Sequence, residues 1–167
     1  MAPPAAAAEE DAPLIAVNDA GDVGDEAESE QTVIQRLASM SFTGRLKAAV
    51  HGSREMRAIL VRDSNKMIAS AVLSSPKVSE PDIESFAKMA SVSEDVLRTI
   101  AHNRTWMKNY GIVLALTKNS KTPVAISMHL MARLNNRDLQ KLAVDRNVPE
   151  PLRVAARRKV VEGTSKK

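Results

Sequence analysis

Two stretches near the C-terminus carry the same residue pattern 26 positions apart. Residues 116–126 (LTKNSKTPVAI) align without gaps on residues 142–152 (LAVDRNVPEPL). Each stretch combines a helix end, a polar turn, a proline at the first helical position and an apolar helix. Self-similarity at this spacing is typical of stacked helical repeats, whose units are too short to bury their own apolar faces. The pattern therefore predicts a fold in which neighbouring units pack together.

The same turn pattern can be followed toward the N-terminus. Taking Asp63, Met89, Asn119 and Asp145 as equivalent points, the spacings are 26, 30 and 26 residues. A four-residue insertion in the third unit accounts for the longer interval. Acids and amides at repeated turns are typical of helix caps, because the repeat keeps them one unit apart and prevents an acid–base pair. We predict about four units.

Composition favours helices over strands. The chain has only four aromatic residues and no cysteine, so its core must be built from Ala, Leu, Ile, Val and Met. Such a core suits close helix packing, and no stretch shows sustained two-residue alternation. Apolar runs stay well short of the roughly 20 residues that cross a bilayer, and the N-terminus lacks the pattern of a signal peptide. The sequence predicts an all-α, cytoplasmic protein that does not enter a membrane.

Charge divides the chain sharply. Residues 1–35 hold nine acidic side chains and no Lys or Arg, whereas residues 36–167 hold 24 basic and 11 acidic side chains. Residues 1–29 are also too poor in large apolar groups to offset the entropy of ordering. We predict a disordered acidic leader (1–29), a helical-repeat domain (30–162) and a basic C-terminal tail (163–167). The charge division raises a further hypothesis, that the leader folds back over the domain, competes with an acidic partner and so autoinhibits binding.

Capping residues predict where the helices begin. The predicted starts are, in chain order, Glu30, Thr43, Ser53, Lys66, Ser79, Ser93, Thr105, Thr122-Pro123, Asn135 or Asn136, and Pro149. Ser79 with Asp82 has the spacing of a capping box. Thr105 is predicted to begin one helix over residues 106–118, and Gly163 to stop the last helix near Val161.

Four phrases carry a resemblance to a known group of proteins. They are residues 45–49 (RLKAA), 59–66 (ILVRDSNK), 103–110 (NRTWMKNY) and 145–150 (DRNVPE). Over residues 31–161 the chain resembles small uncharacterised bacterial helical-repeat proteins, and its repeat phrase is similar to leucine-rich repeat variant and HEAT-like solenoids. The resemblance implies a short α-solenoid. It supplies no catalytic residue, and the leader lies outside it.

One segment concentrates residues suited to binding a partner. Our candidates there are Asn103, Arg104, Trp106, Lys108 and Tyr110. Within one helix, Trp106 and Tyr110 would share a face because they are four residues apart. The two rings either stack on a base or anchor a partner protein, or they pack between neighbouring units with their polar atoms on local acceptors.

A second candidate surface lies at the last helix. Arg146, Arg153 and Arg157 would form a basic face that meets phosphate or carboxylate groups. The alternative is a solvated outer face on the terminal unit of a repeat stack. The basic helix lacks the interleaved aromatic residues that are typical of single-strand binding.

The sequence carries little sign of chemistry. The three histidines fall in separate units without metal-ligand spacing, the glycines are scattered, and nothing marks a nucleophile. We therefore predict no cofactor, no metal site and no enzyme activity. The predicted function is a protein–protein interaction or adaptor module whose partner has an acidic surface. The alternative is a nucleic-acid-binding repeat protein that uses the basic domain.

Overall fold

A computed structural model describes residues 29–165, which form ten α-helices and one short 3-10 helix. The α-helices are α1 (Glu30–Ser39), α2 (Phe42–His51), α3 (Arg54–Leu60), α4 (Lys66–Leu73), α5 (Glu80–Lys88), α6 (Glu94–His102), α7 (Tyr110–Lys118), α8 (Val124–Met131), α9 (Asn136–Val144) and α10 (Glu150–Thr164). The 3-10 helix, Trp106–Lys108, lies between α6 and α7. No residue from 29 to 165 lies in a strand, so the all-α prediction is confirmed for this range. The predicted disordered leader, apart from Ser29, lies outside it, as do the last two residues of the predicted tail.

Most helices begin where short-range polar signals predict. The hydroxyl of Ser53 accepts a hydrogen bond from the Met56 backbone N–H at 3.3 Å. At the start of α5, the Asp82 carboxylate accepts from both the N–H and the hydroxyl of Ser79, at 3.1 and 2.9 Å. The Asn135 side chain accepts from the Asp138 N–H at 2.8 Å at the start of α9. Each bond satisfies a backbone or side-chain group at a helix N-terminus, which explains why these boundaries are readable from sequence.

Three predicted boundaries are wrong. Helix α2 is capped by Ser41, whose hydroxyl accepts from the Gly44 N–H, rather than by Thr43. The predicted helix over residues 106–118 is broken at Asn109, whose backbone is extended and whose side chain caps α7. Helix α10 continues through Gly163 to Thr164, and the hydroxyls of Thr164 and Ser165 both donate to the Val161 carbonyl.

The helices pack mainly on their chain neighbours and on helices two positions away. Helix α9 packs on α10, α7 on α8, and α2 on α3; contacts also join α2 to α4, α4 to α6, α5 to α7, and α8 to α10. One aliphatic cluster runs through these contacts from Val33 in α1 to Ala156 in α10. The described helices are all too short or too polar to cross a membrane.

Side chains from later connections bind the backbone carbonyls at the C-terminal end of α2. The Ser75 hydroxyl donates to the Val50 carbonyl at 2.5 Å, and the Lys77 ammonium donates to the His51 carbonyl at 2.9 Å. Buried Arg57 donates to the Gly52 carbonyl at 2.8 Å. Carbonyls at a helix C-terminus have no partner within the helix, so these donors satisfy them and hold the connection between α4 and α5 against the end of α2.

Similar bonds occur further along the chain. The Asn119 amide donates to the carbonyls of Ala87 and Met89, at 2.8 and 3.0 Å, at the end of α5. The Arg133 guanidinium donates to the Met107 carbonyl at 2.6 Å. We call these carbonyl-directed side chains, Ser75, Lys77, Asn119 and Arg133, the carbonyl clamps. Each clamp joins two connections that lie about 25–32 residues apart in sequence.

The acids and amides at the predicted equivalent turns have structural roles. The side chains of Asp63, Asn119 and Asp145 each accept from the N–H two residues later, at 2.8, 3.0 and 2.9 Å. Asn119 and Asp145 also occupy the C-cap positions of α7 and α9, while Asp63 lies beyond the C-cap of α3. Such side-chain-to-backbone bonds close tight turns. The repeated positions therefore stabilise the connections.

Candidate functional site

The segment between α6 and α7 combines structural and exposed residues. The Asn103 side chain accepts from the backbone N–H groups of Thr105 and Trp106, at 2.9 and 3.2 Å. The Trp106 ring is half-buried and packs against the hydrophobic core. Arg104 and Lys108 are exposed. Of the candidates in this segment, Asn103 and Trp106 hold the connection together, and the two cations face solvent.

Tyr110 does not share a helix face with Trp106, because the extended backbone of Asn109 separates the 3-10 helix from α7. Its hydroxyl donates to the Asp138 carboxylate at 2.6 Å and accepts from the Asn135 N–H at 3.2 Å. Burial, and then the hydrogen bond to Asp138, raise the pKa of Tyr110, while the same hydrogen bond lowers the pKa of Asp138. The hydroxyl therefore links the N-terminal ends of α7 and α9.

The arginines of the second candidate surface are also partly engaged. Arg153 forms an ion pair with Glu150 one turn earlier on α10. The Arg157 guanidinium donates to the Ala143 carbonyl at 3.1 Å, which ties α10 to α9. Arg146 is exposed in the turn before α10. Within residues 29–165, no hydrogen bond or ion pair joins these arginines to the segment between α6 and α7.

The exposed side of α8 lies outside the candidate residues predicted from the sequence. Its sequence, VAISMHLM, contains a single ionisable side chain, His129. Val124 is 39% exposed and Ala125 is exposed, while Ile126 and Met128 are half-buried. A surface helix normally turns polar residues toward water, so a helix with apolar side chains on both sides indicates a surface that another molecule covers. The lack of polar residues in VAISMHLM is visible in the sequence, and it could have identified this surface before the structure was known.

Two grooves flank α8 and continue this apolar surface. The groove toward α6 has a volume of about 440 Å³ and is lined by Ala101, His102, Ala125, Ile126, His129 and Leu130. The groove toward α10 has a volume of about 470 Å³ and is lined by Met128, Glu150, Pro151, Val154, Ala155 and Arg158. We call α8 and the linings of these two grooves the α8 face.

The α8 face lies in the positively charged half of the described chain. Residues 104–165 carry 12 Lys and Arg against 4 Asp and Glu, whereas residues 29–103 carry 10 against 8. Arg158 is exposed beside the α10 groove, and His129 is exposed on α8. The surface thus has small apolar side chains, with Glu150 and Arg158 lining the α10 groove, and it belongs to the part of the chain that carries the excess of positive charge. This combination suits apolar groups that are accompanied by carboxylates.

A third groove, between α5 and α7, differs in character. It has a volume of about 360 Å³, and the ion pair between Lys88 and Glu84, 2.6 Å long, lies in its lining. Gly111 brings the two helices close, since a Cβ at this position would lie 2.6 Å from a carboxylate oxygen of Glu84. The close packing of α5 on α7 therefore requires a glycine at position 111. The ion pair partly neutralises the charge of the groove.

Two further features of the described residues concern ionisable groups: potential metal ligands and buried charges. Across residues 29–165, no group of three or more His, Asp or Glu side chains is placed to hold a metal ion. The buried charges of Arg57 and Asp82 lie 3.7 Å apart. Arg57 donates to the Gly52 and Lys77 carbonyls while its Nε has no hydrogen-bond partner among the described residues, and Asp82 accepts from Ser79. Comparison of the chain with protein-family models, with curated proteins and with solved structures finds no match.

Proposed function

We propose that this chain is a non-enzymatic adaptor that binds another protein through the α8 face. The observation that carries the proposal is the apolar exposed side of α8 between two grooves of about 440 and 470 Å³. Interfaces bury apolar side chains at their centre and charged groups at their rim. The α8 face has this composition, with small aliphatic residues at its centre and the charged residues Glu150 and Arg158 in the lining of its α10 groove.

The scaffold in this proposal is a short α-solenoid. The chain contains four helix pairs that each hold one of the four equivalent turn positions between their two helices: α3–α4, α5–α6, α7–α8 and α9–α10. The pair α1–α2 precedes them. Two observations support stacking of these pairs: contacts between helices two positions apart, and carbonyl clamps whose sequence separations match the repeat. A stack of this kind also agrees with the resemblance to helical-repeat proteins, and such stacks use extended faces for binding.

The proposed partner presents apolar side chains accompanied by acidic residues. Apolar anchors would fill the grooves beside α8, where small residues such as Ala125 and Ala155 leave room. The excess of basic residues in the range 104–165 would attract carboxylates and speed association. Exposed Arg104, Lys108 and Arg146 contribute to this charge rather than forming one contact surface.

Two matched substitutions test the proposal. Val154→Glu places a carboxylate in the α10 groove, whereas Val144→Glu makes the same change at the exposed end of α9, outside both groove linings. We expect Val154→Glu to lose the proteins that the wild-type chain captures from a lysate of its source cells, and Val144→Glu to retain them. Mass spectrometry of the captured proteins measures the difference. Equal capture by both variants would place the interaction elsewhere.

A nucleic-acid-binding function remains the second proposal because the same basic residues suit phosphate groups. Its affinity should fall steeply with salt, since phosphate contacts release bound counterions. Fluorescence anisotropy with labelled single-stranded and double-stranded DNA and RNA, from about 50 mM to about 200 mM salt, measures this dependence. Salt-sensitive binding that survives Val154→Glu would favour this function, and an absence of binding at low salt would eliminate it.

A further inference from the structure

We infer that the α8 face is the docking surface for this chain's own residues 9–19, which occupy it when no partner is bound. The inference rests on the proposed function, because it takes the α8 face as the binding surface and identifies what regulates access to it. The relevant segment reads EEDAPLIAVND and precedes the described residues. It would occupy the grooves in competition with a partner protein.

The composition of this segment matches the chemistry of the surface. Leu14, Ile15 and Val17 are the densest group of large aliphatic residues in the first 28 positions. Acidic residues flank them on both sides, at Glu9, Glu10, Asp11 and Asp19. An apolar centre between acidic ends is the complement of an apolar groove within a positively charged region.

Charge complementarity extends beyond the segment itself. Residues 1–28 contain eight acidic side chains and no Lys or Arg. Residues 104–165, which include the whole of α8 and α10, carry 12 basic and 4 acidic side chains. Opposite charges of equal net size attract, and the attraction should weaken as added salt screens it. The first half of the described chain, with 10 basic and 8 acidic residues, offers much less attraction.

The chain between Val17 and Ser29 is long enough for residues 9–19 to reach the α8 face. Twelve residue steps separate Val17 from Ser29, which caps α1, and an extended chain covers about 3.3–3.6 Å per residue, or about 40 Å here. Packed helices lie about 8–10 Å apart. In the proposed stack, α8 lies three helix spacings from α2, or about 24–30 Å, and α1, where the connection ends, adds one spacing across the stack. The two offsets run in different directions, so the extended connection of about 40 Å spans the distance. A tether of this length provides an effective concentration on the order of a millimolar, which makes even a weak contact populated.

A spin label tests the contact directly in the full-length chain. The sequence contains no cysteine, so Ala12→Cys introduces a single attachment point for a nitroxide. Paramagnetic broadening of backbone amide signals then reports which helices lie near the segment. We expect broadening concentrated on α8 and α10. It should fall several-fold in a Leu14→Ser/Ile15→Ser variant, and it should remain in Val23→Ser, a matched change outside the segment.

Other outcomes would overturn the inference. These are absent or uniform broadening, broadening on α5 and α7, and loss of broadening in Val23→Ser. Broadening seen only between a labelled chain and a separate isotope-enriched chain would mean that a second copy supplies the segment, which also overturns self-docking. Spectra of each variant without the label show whether the helices remain folded, so a loss of broadening is not confused with a loss of structure.

Partner capture separates this inference from the proposed function. If residues 9–19 compete for the α8 face, Leu14→Ser/Ile15→Ser should increase capture about 2- to 10-fold, and Val154→Glu should abolish it. Unchanged capture in the leader variant with loss in Val154→Glu would reject self-docking and leave the adaptor function standing. Label contact with α8 without any effect of Val154→Glu on capture would leave self-docking standing and reject the α8 face as the partner-binding surface.

Discussion

At the scale of single residues, the buried carboxylate of Asp82 joins three hydrogen-bonding or charged partners. It accepts from the Arg54 guanidinium at 2.6 Å and lies 3.7 Å from the Arg57 guanidinium, and both Asp82 and Arg57 are 4% exposed. Burial acts to raise the pKa of Asp82, but hydrogen bonds from Ser79 and Arg54 outweigh it, so the pKa is lowered from 3.8. The ionised form therefore stabilises the connection between α4 and α5.

Neutralising the Asp82 carboxylate should lower the stability of the folded protein. We expect Asp82→Asn to lower the free energy of unfolding at neutral pH by about 2–4 kcal/mol, because Arg57 loses its buried counter-charge. Urea denaturation followed by circular dichroism measures the loss. Glu94→Gln is the control, since Glu94 pairs with Arg98 at the surface, and it should cost under about 1 kcal/mol. Comparable losses in the two variants would contradict the assigned role.

The same carboxylate should make stability depend on pH in acid. A group whose pKa is lowered in the folded state stabilises the protein above its unfolded pKa and loses that contribution as the pH falls through its folded pKa. The difference between wild type and Asp82→Asn should therefore be constant above the ordinary value of 3.8 and narrow below it. Denaturation at several pH values tests this, and a difference that stays constant into strong acid would refute it.

Tyr110 offers a separate titration signal, because the chain contains a single tyrosine. We expect its tyrosinate absorbance to appear with a midpoint above 10.0, since burial and the bond to Asp138 favour the neutral hydroxyl. Its stabilising contribution is present below the unfolded pKa and is lost as the pH rises through the higher folded pKa. Asp138→Asn should move the midpoint down, and an unmoved midpoint would show that the bond contributes little.

At the scale of helices and connections, a buried carbonyl clamp should contribute more to stability than a side chain that only closes a local turn. Asn119 is 8% exposed and donates to the carbonyls of Ala87 and Met89, whereas Asp145, at the equivalent turn, accepts only a local N–H. We expect Asn119→Ala to lower the free energy of unfolding by about 2–3 kcal/mol and Asp145→Ala by about 0.5–1 kcal/mol. Thermal and urea denaturation measure both values. Equal losses would mean that only the local turn matters.

The helix boundaries show which structural features can be predicted from the sequence. Caps at Ser53, Ser79 and Ser93 are predicted correctly because donor and acceptor lie within three residues of each other. The start of α7 was misplaced because Thr105 and Asn109 both suit a cap, and only the observed backbone distinguishes them. Local patterns determined most boundaries, and competition between two nearby signals produced this error.

Contacts between residues far apart in the sequence could not be predicted from it. Nothing near Arg133 indicates that it binds the Met107 carbonyl, because a backbone acceptor has no sequence signature. The engagement of Arg157 with Ala143 was hidden for the same reason, so the predicted basic face of α10 was too large. The apolar exposed side of α8 was readable, but its grooves depend on α6 and α10 and required the structure.

At the scale of the whole molecule, the proposed stack predicts that a core substitution destabilises the neighbouring helices and not the whole chain. Leu152 lies in α10 and is 1% exposed, so Leu152→Ala should cost about 2–4 kcal/mol. In a linear stack the loss should accelerate hydrogen exchange of amides in α9 and α10 and leave those in α2 and α4 near their wild-type rates. Mass spectrometry of exchange resolves the two ends. Uniform acceleration along the chain would instead indicate one indivisible cooperative unit.

The carbonyl clamps also bear on how such a chain changes over evolution. Each clamp takes a main-chain oxygen as its acceptor, and every residue type supplies that oxygen. A helix pair that brings its own donor can therefore follow any pair with a suitably placed helix end, whatever side chains that end carries. Duplication of a pair needs no matching change in its predecessor at the clamp. The proposed stack can thus lengthen by copying, while the residues of the proposed partner-binding face diverge independently.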